Sequence, residues 1–161
     1  PMLIVQHMPI GFTQMYAERL NRLCQMEVRE AKNGDELHRG LALLAPADFQ
    51  MRVVRSGTRY TVSCQPGEKV SGHRPSVDAL FFSMAEQVKC KMAGIIMTGM
   101  GRDGADGLLK MRQAGAYTIG QDKESSVVYG MPMVAYNIGA VQIQGSCEDI
   151  AGILLRQLQR W

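Results

Sequence analysis

The sequence has few of the residues that build metal centres or disulfide frameworks. It contains three histidines and four cysteines in 161 residues, and no two cysteines form a C-x-x-C pair. No histidine lies at zinc-ligand spacing from any of the cysteines, which are Cys24, Cys64, Cys90 and Cys147. We therefore expect buried, reduced thiols in a cytoplasmic protein, with no metal and no cofactor.

Long apolar runs and a strong excess of one charge are also absent. No apolar stretch approaches the ~20 residues that a helix needs to cross a bilayer. The formal net charge is only +3, and the lysines and arginines are scattered along the chain. A nucleic-acid-binding surface normally needs a denser basic patch than this. The composition thus predicts no membrane insertion and no nucleic-acid partner.

The residues that are present suit one domain with a substantial core. A chain of 161 residues with 46% hydrophobic residues is long enough to bury such a core. Short apolar runs alternate with segments of helical periodicity, which is typical of an α/β protein. We expect a single domain over residues 1–161, with a doubly wound, mostly parallel sheet in three layers. An antiparallel hairpin about Ser56 and Gly57 is expected as an addition to that sheet.

The predicted elements follow one another with recognisable boundaries. Ser76 is placed to cap a helix that buries one face, and Gly115 lies where a helix should end. Ser146 and Asp149 have the spacing of a capping box before the last helix. The predicted strands are Met2–Val5, 53–62 as a hairpin, 93–97, 117–121 and 141–143, and the predicted helices begin near Phe12, Val77, Gly104, Met133 and Ile150.

Two polar side chains follow predicted buried strands. His7 comes after the first strand, and Asp103 lies in the glycine-rich loop after the strand at 93–97. In open parallel sheets, ligands and substrates are served from the carboxyl ends of the strands. A carboxylate there can hold one nitrogen of an imidazole by a hydrogen bond and leave the other nitrogen free to act as a base. We therefore predict that Asp103 orients His7.

A different interpretation of the same loop is also open. Gly99-x-Gly101-x-x-Gly104 matches the dinucleotide-binding fingerprint between a strand and a helix, and Asp122 lies near the position of a ribose-binding acid. However, Asp103 would bring a negative charge close to the pyrophosphate. Three glycines alone are also a weak signal.

Four segments together resemble one family. They are Ile4–Asn21, Ser71–Ala85, Gly94–Asp122 and Ser125–Val141. In this order they are similar to the catalytic domain of the bacterial chemotaxis protein-glutamate methylesterase (CheB) family. The resemblance implies a Ser-His-Asp hydrolase that demethylates glutamate esters on the cytoplasmic helices of chemoreceptors and deamidates some receptor glutamines.

The resemblance also implies roles for particular residues. His7 matches the family histidine of Q-H-M-P, and Asp103 matches the aspartate of T-G-M-G-x-D-G. Met100 matches a residue whose backbone N–H helps to stabilise the oxyanion. His73 and Arg74 precede a helix start and are candidates for the substrate side, although solvated loop residues are an equal alternative.

The chain departs from the family pattern at the nucleophile. The family serine lies in a Gly-x-Ser-Thr-Gly-Gly turn ahead of Q-H-M-P, and no such turn occurs in this sequence. We expect a catalytic domain that is incomplete at its N-terminus, without the receiver domain, and with an exposed sheet edge that promotes self-association. Met133 also replaces an arginine that often follows the family's G-M-P. A non-catalytic receptor-binding or regulatory module is the alternative function.

Overall fold

The computed structural model describes all of residues 1–161 and contains eight strands and five helices. The strands are β1 Met2–Ile4, β2 Glu27–Glu30, β3 Leu41–Leu44, β4 Gln50–Ser56, β5 Arg59–Gln65, β6 Ala93–Ile96, β7 Tyr117–Gln121 and β8 Ile143–Gly145. The helices are α1 Phe12–Leu23, α2 Val77–Gln87, α3 Ala105–Gln113, α4 Met131–Asn137 and α5 Ile150–Leu158. The longest helix has 12 residues, so no helix is long enough to cross a membrane.

The strands form three separate hydrogen-bonded sheets. Two of them are parallel and three-stranded, with the orders β1-β3-β2 and β6-β7-β8. The third is the antiparallel hairpin β4-β5, in which Val53 faces Val62. The predicted α/β class is therefore confirmed, and the hairpin is present, but it forms a sheet of its own. The strands β1 and β6 each pair on one side only, so both are edge strands.

The main core lies between the hairpin, α2, α3 and the parallel strands. Leu80, Leu108 and Met111 belong to it. The strand β3, which reads Leu-Ala-Leu-Leu, is fully buried, and its Leu41 and Leu43 face this core. A continuous apolar run of this kind is typical of a parallel strand that is covered on both faces. A smaller core cluster joins α1 to β2 and β3.

The helices α2 and α3 approach each other closely where both begin. A Cβ atom added at Gly104 would lie 2.6 Å from Cγ1 of Val77, and one added at Gly107 would lie 2.6 Å from Cβ of Phe81. These distances are far below van der Waals contact, so glycine is required at both positions. The close packing brings the N-termini of the two helices together.

Several local expectations need correction. β1 is only partly buried, with Met2 exposed, because no strand covers its outer edge. The last strand lies at Ile143–Gly145, where it pairs with β7, and not at 141–143. In α1, the spacing of the apolar residues predicts one face formed by Phe12, Tyr16, Leu20 and Leu23. Phe12 and Leu23 are exposed instead, and the small side chains of Thr13 and Ala17 are buried against the core.

The cysteines also differ from expectation. Only Cys64 is buried, and burial followed by the nearby Asp35 and Glu30 charges raises the pKa of its thiol to about 11. The other three thiols are exposed and free. They lie at or near the ends of elements, where the chain returns to the surface.

Candidate active site

His7 and Asp103, the two residues that the sequence singles out, meet beyond the carboxyl ends of the edge strands β1 and β6. His7 follows β1, and Asp103 lies in the loop between β6 and α3. The Nε2 atom of His7 is 2.7 Å from Oδ2 of Asp103, which is hydrogen-bond distance. The bond joins the two parallel sheets, because β1 belongs to one and β6 to the other.

Asp103 is held more firmly than any other polar side chain of the site. Its side chain is completely buried, and it accepts hydrogen bonds from the backbone N–H groups of Val77 (2.8 Å) and Asp78 (2.9 Å). The hydroxyl of Ser76 donates to Oδ1 at 2.7 Å, and His7 completes the set. The carboxylate thus lies at the N-terminus of α2, where free N–H groups and the helix dipole favour a negative charge.

These contacts determine the charge state of Asp103. Burial by itself would raise the pKa of the carboxyl, because the charged form loses water. Hydrogen bonds from His7, the Asp78 N–H, Ser76 and the Val77 N–H outweigh that effect and hold the pKa below its usual value. Asp103 is therefore ionised at neutral pH and can stabilise a positive imidazolium.

A second buried carboxylate, that of Asp78, makes the matching contact with α3. Its Oδ1 accepts the N–H of Gly107 in the first turn of α3 at 2.7 Å, and its Oδ2 accepts the hydroxyl of Ser71 at 2.6 Å. Asp103, in the loop before α3, therefore caps α2, and Asp78, in the first turn of α2, caps α3. Asp78 did not stand out in the sequence, because an aspartate in the first turn of a helix is common.

The hydrogen bond to Asp103 decides which nitrogen of His7 can act as a base. Since Asp103 is an acceptor, Nε2 of His7 carries the proton, and Nδ1 keeps its lone pair. The His7 side chain is 26% exposed, so the ring can be reached from outside. This is the arrangement of a general base that is oriented by a carboxylate.

His73 also lies in this site, against the ring of His7. The two ring centroids are 3.9 Å apart, and the ring planes differ by 13°, which is a stacked arrangement. The Nδ1 atom of His73 is 2.9 Å from the carbonyl oxygen of Ser71. The sequence placed His73 at the entrance of α2, but gave no indication that it contacts His7.

Arg74 points away from this pair. Its Nε and Nη2 groups both donate to Oδ1 of Asp48, and its Nη1 donates to the carbonyl oxygen of Gly67 at 2.6 Å. The guanidinium therefore joins the loop before α2 to the segments on both sides of the hairpin, since Asp48 precedes β4 and Gly67 follows β5. Its side chain remains 26% exposed.

Met100 lies at the tip of the loop between β6 and Asp103. The N–H and carbonyl groups of the neighbouring Gly99 bond to Val128 and Met131, which fixes the base of this tip. Met100 itself is 78% exposed, and its own N–H takes part in no hydrogen bond of the chain. That N–H is available to an acceptor from outside.

None of the serines near the site has a hydroxyl directed to His7. The hydroxyl of Ser76 donates to Asp103 and also accepts the Ala79 N–H, as expected for a helix cap. Ser125 and Ser126 both donate to Asp122. His7 has no hydrogen-bond partner other than Asp103 among the side chains of the chain.

His7, His73 and Asp103 lie close enough together to suggest a metal site, but their hydrogen bonds do not suit one. One donor atom each from His7, His73 and Asp103 lies within 4.8 Å of the others. However, both oxygens of Asp103 already accept two hydrogen bonds each. A cation would have to displace His7 or the start of α2. The donor set fits an oriented histidine better than a metal.

The glycine-rich loop is also used differently from a dinucleotide-binding loop. The N–H of Gly107, which would face a phosphate at the start of α3, already donates to Asp78. Asp103 and Asp78 together place two negative charges there. Asp122, the candidate ribose-binding acid, accepts both the N–H and the hydroxyl of Ser125. The geometry therefore disfavours an anionic cofactor at this loop.

Comparisons with known proteins identify the family of this chain. The 161-residue chain resembles a protein named protein-glutamate methylesterase/protein-glutamine glutaminase 2 from Syntrophomonas wolfei, with 59% identity over 142 residues. A protein-glutamate methylesterase/protein-glutamine glutaminase from Sulfurimonas denitrificans is 57% identical over 139 residues. These matches cover 88% and 86% of this chain, but only 42% and 40% of the relatives. The chain thus matches less than half the length of these relatives.

A solved structure and a family model match nearly the whole chain to the same family. The crystal structure of the Thermotoga maritima CheB methylesterase catalytic domain superposes with a TM-score of 0.93 at 34% identity, covering 98% of this chain and 83% of that one. The family model described as CheB methylesterase matches residues 1–154. The chain belongs to the CheB methylesterase family.

Proposed function

We propose that this chain forms the greater part of the catalytic domain of a protein-glutamate methylesterase that also deamidates glutamine. Its substrates would be methyl-glutamate esters and certain glutamines on the cytoplasmic helices of chemoreceptors. Family membership supports the reaction class. The observation that carries the proposal is the 2.7 Å contact between His7 and the buried, ionised Asp103.

The proposed mechanism gives each residue one task. Asp103 holds Nε2–H of His7 and stabilises its positive charge, while Nδ1 takes the proton of an attacking serine hydroxyl. The hydroxyl oxygen bonds to the ester carbonyl carbon, and the N–H of Met100 donates to the oxygen that becomes negative. His7 then returns its proton to the leaving methoxide, so methanol departs. Water repeats the sequence and releases the glutamate carboxylate and the serine; with glutamine, ammonia leaves instead.

We propose that the serine comes from outside these 161 residues. The hydroxyls of Ser76, Ser125 and Ser126 are all engaged in hydrogen bonds with aspartates. None of them sits on a sharp turn between a strand and a helix, which is the position that exposes a nucleophilic serine. The edge strands β1 and β6 offer unpaired backbone on either side of the site, and a serine-bearing strand could join them there.

The same edges support two further proposals about partners. Without an additional strand, β1 and β6 expose backbone N–H and C=O groups, so we propose that the chain associates with itself through these edges. In the full-length protein a receiver domain would be the intramolecular partner. We propose His73 and Arg74 as residues of the substrate side, because both lie in the loop before α2 and neither side chain is fully buried.

The test is complementation. The 161-residue chain alone should release almost no methanol from methylated receptor, since a triad without its nucleophile retains only ~10³–10⁴-fold catalysis over water at best. Joining the family's serine-bearing strand and helix ahead of Pro1 should restore hydrolysis. His7→Ala and Asp103→Ala should each abolish the restored activity, whereas Asp106→Asn, in an exposed ion pair of the same loop region, should leave it unchanged.

Two results would contradict the proposal. Robust demethylation by the chain alone would mean that a serine within it acts as the nucleophile. A complemented protein that binds methylated receptor but stays inactive, although folded, would favour the non-catalytic receptor-binding role.

A further inference from the structure

His7 is held by a single hydrogen bond, from Nε2 to Asp103. That bond fixes one edge of the ring, but changes in the χ1 and χ2 torsions of His7 can still tilt the ring while the bond is kept. A rotation of this kind is limited by the covalent link to the main chain. Such a rotation would move Nδ1, the nitrogen that must take the proton, away from its target. The ring of His73 lies flat against one face of His7, with centroids 3.9 Å apart and planes inclined by 13°.

His73 is itself held on several sides. The carbonyl oxygen of Ser71 accepts its Nδ1–H at 2.9 Å, which sets the orientation of the ring. The buried side chain of Gln50 donates to the backbone carbonyl of His73 at 2.9 Å and accepts the N–H of Ser76 at 2.9 Å. The loop that carries His73 is therefore clamped against the start of α2.

Ser71 is one of only two non-glycine residues with positive φ, at 51°. A side chain in this conformation costs energy, and such positions persist when surrounding contacts determine them. The contact here is the 2.6 Å bond from the Ser71 hydroxyl to the buried Asp78. It turns the Ser71 carbonyl toward His73.

These contacts form a closed ring of interactions that includes His7, the proposed base. Asp78 binds Ser71, Ser71 binds His73, and His73 stacks on His7. His7 binds Asp103, and Asp103 accepts the backbone N–H of Asp78 at 2.9 Å. One aspartate thus anchors both the residue at the edge of His7 and, through Ser71, the residue at its face.

We propose that His73 is a positioning residue for His7, acting through the flat face of its ring, and that Ser71 and Asp78 hold it in place. This rests on the proposed function in so far as His7 is the base of the reaction. His73 would then need neither to touch the substrate nor to transfer a proton. Its planar face restricts His7 to the rotation at which Nδ1 points to the nucleophile.

The test measures His7 directly, without any catalytic step. In the ¹⁵N-labelled chain, imidazole nitrogen shifts report the tautomer of His7, and exchange with water reports how firmly its Nε2–H is held. We expect the Nε2–H tautomer and slow exchange in the wild-type chain. His73→Ala should speed the exchange by up to about tenfold, in line with the usual strength of an aromatic contact.

Further variants separate the flat face from other properties of His73. His73→Phe retains a planar ring but loses the Nδ1–H bond to Ser71, so its exchange rate should lie between those of wild type and His73→Ala. His73→Leu fills similar space without a planar ring, should behave like His73→Ala, and serves if the alanine variant does not fold. His38→Ala, at an exposed histidine whose Nδ1 contacts only a backbone carbonyl, is the matched control.

Two outcomes would overturn the inference. One is an unchanged tautomer and exchange rate in folded His73→Ala or His73→Leu. The other is a His73→Phe variant that behaves like alanine, which would show that a flat ring face at this position does not by itself position His7. In the complemented enzyme, His73→Ala should lower kcat with little change in KM, and His73→Phe should have a kcat between those of His73→Ala and wild type. If that enzyme is inactive altogether, the proposed function fails while the NMR result still decides the role of His73.

Discussion

The two partners of the proposed catalytic pair are supported in very different ways. Asp103 is fully buried and accepts four hydrogen bonds, three of them from the start of α2. His7 is partly exposed and has one hydrogen bond and one stacking contact. Asp103 therefore contributes to the packing of the folded chain, whereas His7 lies at the surface and depends on Asp103 for its position.

This difference separates stability from chemistry within one site. A change at Asp103 should disturb the junction of α2 with α3 as well as the orientation of His7. A change at His7 should leave the framework almost intact and affect only the proton transfer. The predictions below test this division, beginning with the largest effect.

Asp103→Asn should lower the free energy of unfolding by about 2–4 kcal/mol. The amide group of asparagine is a donor where the carboxylate accepted, so at least one buried N–H of Val77 or Asp78 loses its partner. Urea denaturation measures the change. Asp106→Asn, which removes only an exposed ion pair with Arg102, should stay within about 0.5 kcal/mol of wild type. Equal effects of the two substitutions would mean that Asp103 does not support the framework.

Gly104→Ala should be more damaging than Gly101→Ala, although both glycines have nearly the same positive φ, 95° and 93°. Both substitutions incur backbone strain of about 1 kcal/mol. At Gly104 the added methyl group would also lie 2.6 Å from Val77 in the α2–α3 contact, whereas nothing lies within 4 Å at Gly101. We expect a further loss of about 1–3 kcal/mol at Gly104 from overpacking.

The denaturation midpoints of the two alanine variants show whether the α2–α3 contact at Gly104 is rigid. If both alanine variants have the same denaturation midpoint, the start of α2 can move to admit a methyl group. In that case the junction that holds Asp103 is softer than the structure indicates.

The acid dependence of stability should also follow Asp103. Its pKa is lowered in the folded chain, so the unfolded state binds its proton more readily. Stability from this group is therefore fully present above the ordinary aspartate pKa of about 3.9 and is lost as the pH falls through the folded value. The stability difference between wild type and Asp103→Asn should shrink as the pH is lowered from 6 to 2. A constant difference would show that the charge of Asp103 contributes nothing.

His7→Ala should have the smallest effect on stability, a loss of about 1 kcal/mol or less. Asp103 keeps its three other donors, and the exposed edge of the imidazole contributes little burial. Thermal or urea unfolding beside His38→Ala provides the comparison, while the complemented enzyme should lose all measurable activity. A loss as large as that of Asp103→Asn would remove the distinction between the two residues.

Sequence alone predicted much of the fold because the local signals agreed with the tertiary structure. The Ser76 cap, the hairpin about Gly57 and the turn at Gly115 depend on residues close together in the chain. The outward direction of Phe12 and Leu23 could not be predicted in this way. Helical periodicity defines an apolar face, but the small residues Thr13 and Ala17 decide which side fits against the sheet.

The pairing of His7 with Asp103 was also predictable, because both follow strands of a predicted parallel sheet. The contacts around that pair were not. Gln50, Ser71 and Asp78 reach the site from other parts of the chain, and each residue type is common in loops and helix starts. Only the folded arrangement shows that they act on the same histidine.

The orientation of the His7 ring restricts where the nucleophile can lie. Nδ1, the nitrogen left free by Asp103, is attached to Cγ and is therefore the ring nitrogen closer to the main chain. A hydroxyl that gives up its proton to Nδ1 must approach beside the backbone of the β1 end and cannot come from the far tip of the ring. A small nucleophile that replaces the serine must therefore be short enough to reach Nδ1 of His7 beside the end of β1.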